Sequence, residues 1–166
     1  GRAGGAVDAV AIGGNPITSA GGATLLETIK TSKLKTIDIG KPLPLQEPYA
    51  SDTLDLSGTG MDPGHIVILS WWLATPAAGA LTSMNCLHNP LGEGVHIIIK
   101  VFEETPRLRT LCGFEEGVEQ IDWSKSGKGP ADVALLAADL KAGRAGAAVA
   151  RLSLSGNMIT GSEQVL

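Results

Sequence analysis

Residues 81–91 read LTSMNCLHNPL, with apolar side chains at Leu81, Met84, Cys86 and Leu91 and an asparagine at Asn89. Residues 7–17 (VDAVAIGGNPI) and 149–159 (VARLSLSGNMI) share the layout: apolar, two variable, apolar, one variable, apolar, two variable, Asn, one variable, aliphatic. A variant copy starts at Leu34 (LKTIDIG) and again at Leu108 (LRTLCGF). Each variant runs through an irregular insert into a second strand-like piece, DTLDL at 52–56 and EQIDW at 119–123. The copies start near 7, 34, 81, 108 and 149, spaced by 27, 47, 27 and 41 residues, so the unit is a two-part super-repeat. Splitting the two long intervals at their internal strands, near 51 and 118, leaves pieces of 30 and 31 residues. Self-similarity at such periods signals stacked supersecondary units.

Alternation along an extended strand turns Leu81, Met84 and Cys86 inward and leaves Thr82, Ser83 and Asn85 on the exposed side. Asn15, Asn89 and Asn157 are expected to turn inward and bond the backbone groups that the bend leaves free. Gly58 and Thr59, and likewise Ser126 and Gly127, stand where that Asn is expected, which predicts two looser turns. Helical stretches are read at 20–31, 64–74, 93–104 and 131–141, with Pro63 and Pro130 where a first turn tolerates proline and Asp62 as a cap. No single repeat buries its own apolar face, so only stacking closes the core.

The template LxxLxLxxNxL resembles the leucine-rich-repeat family, and its lengths are similar to the longer repeats of ribonuclease inhibitors and of many algal and protist proteins. The resemblance covers nearly the whole chain and is strongest over residues 136–163, LAADLKAGRAGAAVARLSLSGNMITGSE. It implies an α/β solenoid, residues 1–166 as one domain, with a parallel sheet on the concave side and helices on the convex side. No polar capping repeat is recognisable and the first residue is Gly1, so the array is read as incomplete at its ends.

Composition agrees with an aliphatic core: 43% hydrophobic residues, 18% charged and only 4% aromatic. A formal net charge of -4 provides no basic footprint for nucleic acid. Two cysteines give no disulfide framework and favour a reducing intracellular or organellar compartment. Strand counting places Cys86 inward and Cys112 outward, which argues against a disulfide between them. The longest apolar run, 66–73, is far too short to span a bilayer, although peripheral membrane association is compatible with it.

Two surfaces are candidate sites. The exposed strand positions Asp8, Lys35, Asp38, Asp52, Asp55, Asn85, Arg109, Glu119, Asp122 and Arg151 form a mixed face with an acidic bias, suited to a protein partner. The helices containing HIVILSWWLA and VHIIIKVF are apolar on nearly every side, so Ile68, Trp71, Trp72, Ile98 and Phe102 are expected to form an exposed convex interface. His65, His88 and His96 lack the accompanying ligands of a zinc site, and no nucleophile elbow or phosphate loop occurs. Aspartates such as Asp38, Asp55 and Asp122 on an open face lack the desolvation that tunes a general acid. The expectation is a protein without catalytic residues, metal or cofactor: a protein-binding module, or alternatively an accessory subunit built into a large, membrane-associated assembly.

Overall fold

The computed structural model describes residues 7–159. These residues form a mixed α/β arrangement of three short sheets and four helices. The strands are β1 (Ala9–Ala11), β2 (Thr36–Asp38), β3 (Pro42–Pro44), β4 (Thr53–Asp55), β5 (Ser83–Asn85), β6 (Gln120–Asp122) and β7 (Arg151–Ser153). The helices are α1 (Thr18–Thr31), α2 (Pro63–Leu73), α3 (Gly94–Glu103) and α4 (Pro130–Ala142). Each helix lies within two residues of its expected bounds, because the apolar runs and their Pro and Gly punctuation coincide.

Strands β1 and β2, β4 and β5, and β6 and β7 pair in parallel. The strand β3 is a correction to an all-parallel expectation: the insert after β2 turns back and pairs with it antiparallel, Ile37 opposite Leu43. With β1 on one edge and β3 on the other, β2 has no edge left for β4, and the sheet breaks there. The prolines at both ends of β3 cannot donate to a further ladder, which suits them to an edge strand. Beyond β5, Thr110 and Cys112 contribute only isolated bridges, to Ser83 and Asn85.

One hydrogen-bond register recurs at all three parallel pairs. The carbonyl just before the first strand accepts two N–H groups: Asp8 from Lys35 (2.7 Å) and Thr36 (3.2 Å), Asp52 from Thr82 (2.8 Å) and Ser83 (3.0 Å), Glu119 from Ala150 (2.8 Å) and Arg151 (3.3 Å). The N–H just after that strand, at Ile12, Leu56 and Trp123, donates back to Asp38, Asn85 and Ser153 at 2.8, 2.9 and 2.8 Å.

The middle residue of most strands, among them Ile37, Leu54, Met84 and Ile121, is buried in one aliphatic core with Leu56, Ile66, Leu69 and Leu135, while its strand neighbours are exposed or half-buried. Each fully buried aliphatic side chain contributes about 1.5–3 kcal/mol. The helices touch in chain order, α1 to α2, α2 to α3, α3 to α4. Gly22 and Gly64 set the α1–α2 spacing, since a Cβ on Gly64 would lie 2.3 Å from the Thr18 carbonyl oxygen.

That packing corrects the expected convex interface. Ile68, Trp72, Ile98 and Phe102 are all 0% exposed, and only Trp71 is half-buried. A one-stripe view of a helix fails because α2 lies between α1 and α3 and also receives the insert after β2. Trp72 Nε1 donates to the Pro44 carbonyl at 2.8 Å, and Tyr49 packs edge-on against its indole at 5.7 Å. The guanidinium of Arg144 sits 4.4 Å from the Phe102 ring centre and closes that side.

Candidate functional site

The strand face opposite the core is built from paired polar positions: Thr53 beside Ser83, Asp55 beside Asn85, Gln120 beside Arg151 and Asp122 beside Ser153. Asp38, Asp55, Asn85 and Asp122 occupy the last position of their strands, and each accepts from the backbone N–H two residues on, at Gly40, Ser57, Leu87 and Ser124. Short acidic and amide side chains suit this place because they can close the local turn. The Ser57 hydroxyl, then its N–H, holds Asp55 below the usual carboxylate range, and Ser124 does the same for Asp122. Both therefore remain anionic on the surface.

The structure distributes the candidate residues over separate sheets. Lys35 and Asp38 belong to the first, Asp52, Asp55 and Asn85 to the second, Glu119, Asp122 and Arg151 to the third. Asp38, Asp55 and Asp122 are not register partners, so no carboxylate pair forms across neighbouring strands. Arg109 lies on the open face but is already engaged: its Nε donates to Glu116 at 2.8 Å and its Nη2 to the Arg144 carbonyl at 3.2 Å.

Loop 113–118 rises over this face and makes a cleft of about 280 Å³ lined by Thr53, Ser83, Arg109, Phe114, Glu115 and Glu116. A smaller hollow of about 190 Å³, sharing Thr53, Ser83 and Gly113, continues to Asp55 and Asn85. Gly113 has φ +73°, and a Cβ there would stand 3.0 Å from the Asn85 amide nitrogen, so the loop passes over Asn85 only as glycine.

Two of the asparagines tie separate turns together. Asn89 Oδ1 accepts from Thr59 and Met61 N–H, each at 3.0 Å, and its Nδ2 donates to the Leu56 and Cys86 carbonyls at 2.9 and 3.1 Å. Asn157 repeats the set, taking Ser126 (3.1 Å) and Lys128 (2.9 Å) and donating to Trp123 (2.6 Å) and Leu154 (2.8 Å). The turns at Gly58 and at Ser126, expected to be loose, are thus held by Asn89 and Asn157 from the next strand's turn. Thr59 and Ser126 hydroxyls close them further, on the carbonyls of Leu56 and Trp123. Asn15 is exposed and bonds only the Gly13 carbonyl, at 3.3 Å, among the described residues.

Several polar anchors escaped sequence reasoning. Asp132 accepts from the His88 N–H at 2.8 Å and from Gly129 at 2.9 Å, and its place in the first helical turn after Gly129 was the available signal. Asp62, expected as a cap for α2, also accepts from Ile17 and Thr18 at 2.7 and 2.8 Å, tying two repeats. Burial pushes its carboxyl up, but the N–H donors of Thr18, Ile17, His65 and Gly64 outweigh that and hold it below the usual range. Asp139 is fully buried on α4, where Oδ2 accepts from Thr110 Oγ1 (2.7 Å), Leu111 N (2.8 Å) and Cys112 N (3.2 Å).

The expected outward place of Cys112 is corrected by the same contacts. Asp139 draws residues 110–112 out of regular strand geometry, leaving Thr110 0% and Cys112 5% exposed. Both thiols are buried and free, and burial pushes Cys86 to about 12 and Cys112 well above its ordinary value, which makes them inert packing groups. His65 is buried with Nδ1 accepting from Asp62 N–H and Nε2 2.8 Å from the Ile12 carbonyl oxygen. Among the described residues no group of three or more His, Cys, Asp or Glu could hold a metal ion, and no helix is long and apolar enough to cross a membrane. Comparison with protein-family models, with curated proteins and with solved structures finds no match.

Proposed function

We propose that this chain is a leucine-rich-repeat solenoid module without catalytic activity, and that its strand face binds a protein partner. The observation that carries this reading is the recurring polar outer face of the parallel strand pairs, Thr53, Asp55, Ser83 and Asn85 on one sheet and Gln120 and Asp122 on another, set over one aliphatic core, with loop 113–118 over the first of them. The recurrent pairing register and the Asn clamps between successive turns support the solenoid. Among the described residues Asp52, Asp55, Glu115, Glu119 and Asp122 have no basic partner within salt-bridge distance, while Arg109 is neutralised by Glu116. Such a face favours a partner with a basic surface, because complementary potentials steer association and exclude partners of the same sign. The accessory-subunit alternative was motivated by exposed convex side chains, and of these Ile68, Trp72, Ile98 and Phe102 are buried and Trp71 half-buried, so the strand face is the surface put forward.

Site-specific photo-crosslinking tests the proposal. A photoreactive residue at Asp122 on the strand face, and separately at Lys100 on the outer side of α3, is introduced into the protein in its native cellular setting. Discrete protein adducts from position 122 and none from position 100 are expected. Adducts from position 100 alone would overturn the assignment of the face.

A further inference from the structure

Two hollows on the strand face join at Thr53, Ser83 and Gly113: the cleft of about 280 Å³ beneath loop 113–118, and the smaller one of about 190 Å³ that reaches Asp55 and Asn85. Their walls differ in chemistry. In the cleft the Phe114 ring leans on Trp123, with 5.9 Å between ring centres and the planes tilted by 34°, and its half-exposed side lines the space. In the smaller hollow Asp55 accepts from the Ser57 N–H and hydroxyl through Oδ1, at 3.0 and 2.6 Å, and its Oδ2 has no hydrogen bond among the described residues.

The cation that lines the cleft is already engaged. Arg109 gives Nε and Nη2 to the two carboxylate oxygens of Glu116, at 2.8 and 3.3 Å. Lys41 acts on Asp55 only from beyond salt-bridge distance, and Glu115, at the cleft, has no basic partner among the described residues. An aromatic wall that leads to a free carboxylate oxygen suits a side chain with an apolar stem and a cationic head.

We propose that the joined hollows take an arginine side chain of the partner, its stem along Phe114 and its guanidinium at Asp55 Oδ2. This rests on the strand face being the binding surface, and it names the group that anchors there. Binding energy concentrates where a side chain fills a sheltered pocket, and loop 113–118 shelters this part of the face. Asn85 stands beside Asp55 in the strand register, and its Oδ1 accepts one bond, from Leu87 N–H at 3.0 Å. The planar fork of a guanidinium can meet both oxygens together, whereas an ammonium is a more strongly hydrated point charge.

Titration of the isotope-labelled protein with the peptide acetyl-Ala-Arg-Ala-amide, followed by nuclear magnetic resonance, tests this. Saturating shifts of the Thr53, Asp55, Ser83 and Gly113 amides in the millimolar range are expected. The lysine analogue should bind more weakly, and the citrulline analogue, which keeps the shape of the side chain and loses its charge, should have no effect. Asp55→Asn keeps an Oδ1 for Ser57, as Asn85 does for Leu87, and preserves the turn. It should weaken the arginine peptide by about twofold to fivefold, the range for one exposed charge pair. Glu27→Gln removes the same charge from an exposed place on α1 and should leave the affinity unchanged. Shifts that do not saturate, a lysine or citrulline analogue as effective as arginine, or equal losses in the two variants overturn the proposal. Crosslinking from position 122 reports on the face without this pocket, so an empty pocket and a face that binds no protein give different results.

Discussion

Asp139 shows how one residue can organise a segment at a cost. Its Oδ2 collects three donors from residues 110–112, yet Oδ1 is buried with no partner among the described residues, and burial raises the carboxyl above its ordinary value. The folded state then holds a proton that the unfolded chain releases, so stability linked to Asp139 is present below the ordinary carboxylate pKa and lost as pH rises through the raised one. Asp139→Asn keeps an acceptor oxygen for the three donors and removes the buried charge. Urea denaturation at pH 4 and pH 7 should show the variant gaining on the wild type as pH rises. A difference independent of pH would show that Asp139 is not the linked group. The fixed anions Asp55, Asp62 and Asp122, held below the usual range, shift wild type and variant alike in the opposite sense.

At the scale of elements, turns and helix ends are tied by side chains from segments about 30 residues or more further along the chain. Asn89→Ala strips the Thr59 and Met61 N–H groups of their acceptor and the Leu56 and Cys86 carbonyls of one donor each, and should cost about 1–3 kcal/mol in a denaturant titration. Asn15→Ala, at the same template position with one long contact, should cost less than about 0.5 kcal/mol in the monomer. Equal losses would mean that the Asn serves only its own turn. Arg144 donates to the carbonyls of Phe102, Thr105, Leu108 and Glu103, closing the end of α3 where carbonyls lack helical partners. Arg144→Ala should lower stability by about 2 kcal/mol, and Arg144→Lys should recover only part, because a point charge cannot span the carbonyls that the planar guanidinium reaches. Full recovery by lysine would show that charge alone matters.

For the whole molecule, contacts in chain order imply stability that declines from the middle outward. Hydrogen exchange in dilute solution should protect α2 and β5 most and β1 and β7 least. Terminal strands as slow as α2 would indicate one cooperative unit without nearest-neighbour hierarchy. The parallel-paired strands, the helices and the turns at Asn89 and Asn157 were legible here because their signals are local: period 2 in LTSMNC, Pro63 and Pro130 at helix starts, Asp62 before α2. The strand-face positions followed from the same alternation.

Other features were decided by packing between segments remote in sequence. The apolar surplus of α2 read as a surface feature because periodicity reports how many faces are apolar and not what covers them; α1, α3 and the insert after β2 cover Ile68 and Trp72. Strand counting put Cys112 outside, and Asp139, 27 residues on, pulled its backbone inward. The sequence by itself determined the succession of short strands and helices, their inward aliphatic side and the polar face opposite, since these depend on residues a few positions apart. Only the tertiary structure decided which apolar faces stay open and which turns are clamped, because burial and hydrogen-bond partnership belong to pairs of segments brought together by the fold.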